Sequence, residues 1–99
     1  MGYRMTAEIH LKARIVRVRR EQGATGLFYA TSPDLRGLLV AEPTLDGLEK
    51  AIPEAIRDLY MASGEPVLVT RTDHDTEEFR SWVAFPVEIA TDALERMSQ

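Results

Sequence analysis

Two groups of residues in this 99-residue chain have side chains that could do chemistry. The first is the run Asp73-His74-Asp75. In extended backbone, alternation puts Asp73 and Asp75 on one side and His74 on the other. Metal sites usually gather ligands from separate positions, so one histidine between two acids reads as a solvated loop. His10 falls on the polar face of the first strand and reads the same way. The second group is a set of carboxylates near strand ends: Glu8, Asp34, Glu42 and Glu88. Two-metal phosphodiester hydrolysis needs several acids converging on cations roughly 4 Å apart, and nothing in this spacing makes them converge. Asp34, in Ser32-Pro33-Asp34, has the type and place of a turn residue bonding its own backbone. There is no Gly-x-Ser-x-Gly and no glycine-rich phosphate loop. The chain reads as non-enzymatic, with no catalytic, metal-binding or cofactor-binding residues.

Charge offers a binding chemistry instead. Residues 1–20 carry Arg4, Lys12, Arg14, Arg17, Arg19 and Arg20 against Glu8, while residues 21–99 sum to −9. A basic strand on an acidic body can meet anionic groups at one place and a cationic partner at another. The acids Asp46, Glu49, Glu54 and Asp58 lie opposite the apolar stripe of an amphipathic helix. They are the candidate residues for binding a basic partner. The segment Lys12 to Arg20 could touch phosphates, but it lacks the interleaved aromatics of a single-strand binder.

These residues must be placed by a small set of elements. Residues 7–19 read as a strand. Ile9, Leu11, Ala13 and Ile15 alternate with polar residues; Val16 and Val18 then break the phase, as a β-bulge would. Residues 21–26 make a turn with two glycines. Strand two covers 27–31, Ser32 to Gly37 turn the chain, and strand three covers 37–42. Thr44 is an N-cap, with Asp46 in the first turn favouring the helix dipole. Leu45, Leu48, Ile52, Ala55, Ile56 and Leu59 recur at helical spacing, and Ser63-Gly64 ends the helix. Pro53 predicts one kinked helix, because the stripe keeps its phase across it. Val67 to Val69 reads as a short extension, residues 70–80 as a loop, 82–89 as the last strand and 90–99 as a turn or two of helix. Pro86 points to a sheet edge or an interruption there.

The order Tyr29-Ala30, Asp34-Leu35, Gly37 and then the helix-starting Thr44 resembles the HicB-like antitoxin family, especially a small branch lacking the C-terminal DNA-binding domain. The resemblance covers residues from about 8 to 64 and the strand near Trp82. It gives Tyr29, Asp34, Gly37 and Thr44 structural roles in the motif. It implies a partial ribonuclease H-like fold and a partner, a small basic HicA-like ribonuclease toxin of double-stranded-RNA-binding fold that the antitoxin covers and blocks. Many members also carry a helix-turn-helix or ribbon-helix-helix. Only ten residues follow Ile89 here, too few for one.

Pattern and resemblance together predict one α+β domain over residues 1–99. Its order is β-β-β-α-β, with a mainly antiparallel sheet of order 3-2-1-4 and one helix on one face. By the right-handed crossover rule, strand four should run parallel to strand one. At 44% apolar the chain supports one modest core. No apolar run approaches the roughly 18 residues of a membrane span, the start is too polar for a signal peptide, and there is no cysteine. The expected setting is cytoplasmic. The uncovered sheet face, with Val16, Val18 and Leu39 on it, predicts a homodimer.

Overall fold

The computed structural model describes residues 13–87. Glu8, His10, the start of strand one, Glu88 and residues 90–99 lie outside the described residues. The elements are β1 (Arg14–Gln22), β2 (Phe28–Thr31), β3 (Leu39–Glu42), α1 (Leu45–Ala62), β4 (Val67–Arg71) and β5 (Arg80–Pro86). They form an α+β domain with one helix on a five-stranded sheet, ordered β3-β2-β1-β5-β4.

This order differs from the four-strand order 3-2-1-4, and every pairing is antiparallel. Val67 to Arg71 is a full strand, and it hairpins with β5. The helix therefore does not deliver the chain to a strand beside β1. It carries it from one end of the sheet to the other, from β3 to β4, and β5 returns antiparallel next to β1. The crossover rule had assumed no hairpin after the helix. Pro86 is the last residue of β5, which lies between two strands rather than at an edge.

β1 divides its two sides along its length. Arg14 to Val18 pair with β5, and Arg19 to Gln22 pair with β2. Both registers run unbroken through the described residues, so no bulge separates Ile15 from Val16. Val16 and Val18 belong to the core, and it is Ile15 that faces out, 48% exposed. The valines are thus not on the uncovered face as the phase change had implied.

Val16, Val18, Ala30, Leu38 and Trp82 pack against Leu48, Ile52 and Ile56 of α1. Ala55 and Leu59 join from the flank of the stripe, whereas Leu45 is exposed in the first turn. Truncating Ile52 to alanine in such a core costs about 2–5 kcal/mol. The Thr44 hydroxyl accepts from Gly47 N–H at 2.9 Å, closing the N-cap. Gly64 N–H donates to Met61 O and Glu65 N–H to Tyr60 O, both at 2.9 Å. These two bonds are the Schellman pattern that satisfies terminal carbonyls. The helix runs unbroken through Pro53, which leaves the Glu49 carbonyl without its intrahelical donor.

Candidate partner-binding surface

Three of the four arginines of β1 pair with acids of the body. Arg17 meets Asp34 at the turn after β2. Asp34 Oδ2 accepts from Arg17 backbone N–H at 2.8 Å and from Nε at 2.9 Å, and Oδ1 accepts from Nη2 at 2.8 Å. These bonds hold the Asp34 carboxyl below the usual carboxylate range. Arg19 bonds Glu78. Arg20 donates to Glu49 Oε1 at 2.7 Å, and Arg80 Nη1 lies 3.4 Å from the same oxygen. Charge separated along the sequence is thus neutralised across the fold. A phosphate arriving at Arg17, Arg19 or Arg20 would have to displace a carboxylate already in place.

Asp34 is not the Asx turn residue expected from Ser-Pro-Asp. The Ser32 hydroxyl closes that turn, accepting from Asp34 N–H at 3.0 Å and Leu35 N–H at 3.2 Å. The Asp34 side chain is released to reach Arg17. Gly37 holds φ +89°, the left-handed region that glycine enters without strain. Tyr29 lies over Gly23 so closely that an added Cβ would sit 2.4 Å from its ring. Thr44 caps α1.

The four helix acids do not form one surface. The Asp46 side chain is 86% exposed and faces Lys50 at 3.5 Å. Glu54 and Asp58 are also exposed. Glu49 is only 24% exposed and belongs to the arginine pair below it. It does not face solvent as the helical wheel alone implied, because the wheel carries no record of two arginines on the sheet. Lys50 and Arg57 share the outer face with the remaining acids, so that face is mixed in charge.

Asp75 is also occupied. It pairs with Arg71 at 2.6 Å and accepts from Ser81 N–H at 3.0 Å, which lowers its pKa. His74 is exposed, its Nε2 3.9 Å from Asp73. Asp34 and Glu42 sit at opposite ends of the β2–β3 hairpin. Among the described residues, no group of three or more His, Asp or Glu is placed to hold a metal ion.

The sheet face away from α1, expected to carry Val16, Val18 and Leu39, carries Leu39 but has Ile15 in place of the two valines. Ile15, Leu39 and Leu68 are 48%, 69% and 47% exposed there; Val83 and Phe85 lie half-buried between Ile15 and Leu68, while Arg17 and Arg19 separate Leu39 from them. Phe79 lies under the guanidinium carbons of both Arg17 and Arg19, at 5.1 and 5.2 Å, within cation–π range. The readable signal was Val67-Leu68-Val69-Thr70 followed, past a polar stretch, by Trp82 to Phe85, the pattern of a hairpin.

Fold and surface together define, among the described residues, a small α+β domain whose helix covers one face of an antiparallel sheet; the loop after β4 covers part of the other face and buries Ser81 there, leaving Ile15 and Leu68 exposed. The chain matches no family model, no curated protein and no solved structure. No helix of the described residues is long and apolar enough to cross a membrane.

Proposed function

We propose that this protein is a non-enzymatic, partner-binding module of the antitoxin kind, acting in the cytoplasm as a homodimer and holding a small basic HicA-like ribonuclease. The observation that carries the reading is the apolar cluster of Ile15 and Leu68, exposed beside half-buried Val83 and Phe85, on the sheet face away from α1. Exposed apolar surface of that kind marks binding sites. The β-β-β-α opening of the fold supports kinship with HicB-like, partial ribonuclease H-like domains, although the hairpin of β4 and β5 departs from the expected last strand. The exposed acids Asp46, Glu54 and Asp58 would steer a cationic partner to the complex. Glu49 would act indirectly, by fixing Arg20 and Arg80.

The test is co-expression with the product of a short basic reading frame next to this gene. The expected result is a co-purifying complex in which RNA cleavage by the partner is blocked. Ile15→Glu should release the partner while keeping the fold. Full capture by that variant sinks the open face as the binding site. A stand-alone assembly domain without a toxin is the second reading, favoured by the same apolar face. It predicts self-association and no neighbouring toxin. DNA regulation through the basic strand has less support, because Arg17, Arg19 and Arg20 are already paired.

A further inference from the structure

Hydrogen-bond parity shows which backbone groups of β4 point out of the sheet. Thr72 N–H donates to Ser81 O at 3.1 Å and Val87 N–H donates to Pro66 O at 3.0 Å. Both bonds continue the register that sets Val67 opposite Pro86. Such pairs alternate in an antiparallel ladder. Leu68 and Thr70 therefore bond to β5, while Val67, Val69 and Arg71 turn N–H and C=O outward. Among the described residues β4 is an end strand. Pro66 falls on the inward parity, so its missing N–H takes nothing from the outer row. An edge with no proline or lysine in that row is a template for another strand.

Charge selects the occupant and the register. When β4 pairs antiparallel with β4 of a second copy about a two-fold, one residue faces itself at the axis. An axis at Leu68 sets Val67 against Val69 of the second copy and Glu65 against its Arg71. Opposite charges then face each other twice by symmetry, with each Arg71 shared between the Glu65 of the second copy and its own Asp75 at 2.6 Å. An axis at Val69 would instead set Glu65 against Asp73, two like charges. The Leu68 register also brings together the two exposed Leu68 side chains. The other end strand, β3, has four residues and runs into Pro43 and the helix.

We infer that the outer edge of β4 is the self-association contact, joining two copies about a two-fold at Leu68 into one ten-stranded antiparallel sheet. Both helices lie on one side of it and both open faces on the other. This rests on the self-association proposed above and names its surface.

The chain has no cysteine, so a single introduced cysteine can cross-link only between copies. Opposed residues of a non-hydrogen-bonded pair have Cα atoms about 4.5 Å apart, inside the disulfide range of about 4.4–6.8 Å. On mild oxidation Leu68→Cys should become a covalent dimer, while Leu39→Cys and Ile15→Cys stay mostly uncoupled. Val69→Pro removes an outward N–H without touching the β5 ladder, and should give a monomer with an unchanged circular dichroism spectrum. A Val69→Pro variant that stays dimeric, or cross-linking through position 39 or 15 in place of 68, overturns the edge contact. A wild-type monomer by light scattering removes self-association itself. A dimer with no cross-link at position 68 removes only the edge.

Discussion

Asp34 completes a ladder that β2 leaves unfinished beside Arg17. Pairing of β1 with β2 begins at Arg19 opposite Thr31. Two residues earlier, the Arg17 N–H points to the same side and has no strand to meet. The Asp34 carboxylate takes that N–H and, with its two oxygens, the guanidinium as well. One side chain thus stands in for a strand residue and pins the turn at Ser32 to the central strand.

Asp34→Ala should therefore lower the urea midpoint more than Asp34→Asn. The amide keeps an acceptor for the Arg17 N–H but loses the charge pair. Buried Trp82 is the chain's one tryptophan, and its fluorescence reports the transition. Equal loss in the two variants would mean that the backbone bond contributes nothing.

The acid side of the stability curve should carry the same signature. Asp34 and Asp75 both titrate below their ordinary values, each chiefly through an arginine hydrogen bond. A depressed folded-state pKa gives stability that is complete above the unfolded value, about 3.9. That stability is lost as pH falls through the lower folded value. From pH 7 to 5 these two groups should add no slope. Below about pH 4 the wild type should lose stability faster than a variant carrying both Asp34→Asn and Asp75→Asn, as followed by acid titration of Trp82 fluorescence.

Gly37→Ala should destabilise the domain by about 1 kcal/mol or more. The cause is the backbone, since the nearest atom to an added Cβ, Leu59 Cδ2, is 3.8 Å away. Gly37→Asn should cost less, because asparagine tolerates positive φ better than alanine does. If alanine and asparagine cost the same in chemical denaturation, the strain argument is wrong.

Thr44→Ala should cost about 1 kcal/mol by loss of the N-cap bond. Thr44→Ser should recover most of it. Thermal melts of the two variants side by side decide the point, and a neutral alanine would remove the cap from the helix's stability.

The helix acids should split into two classes under charge reversal. Glu54→Lys and Asp58→Lys alter exposed positions and should stay within about 0.5 kcal/mol each. They should slow association with a basic partner in a salt-dependent way. Glu49→Lys instead puts a third cation beside Arg20 and Arg80, and should destabilise the fold more than the other two together. Stopped-flow association at two salt concentrations, with denaturation of each free variant, separates the effects.

The local elements were legible because their signals are local. The cap at Thr44, the stripe through Leu48, Ile52 and Ile56, the stop at Ser63-Gly64 and the turns on either side of β2 depend on residues a few positions apart. Only the tertiary structure decided the rest. The face taken by Val16 and Val18 depends on which side of β1 the helix docks, and periodicity in one strand cannot choose it. The antiparallel return of β5 depends on a hairpin whose first strand is five residues long. The carboxylates that meet Arg17 and Arg20 lie 17 and 29 residues away in the chain. A guanidinium written into the first strand says that a carboxylate must come, but only the path of the chain through space says which one.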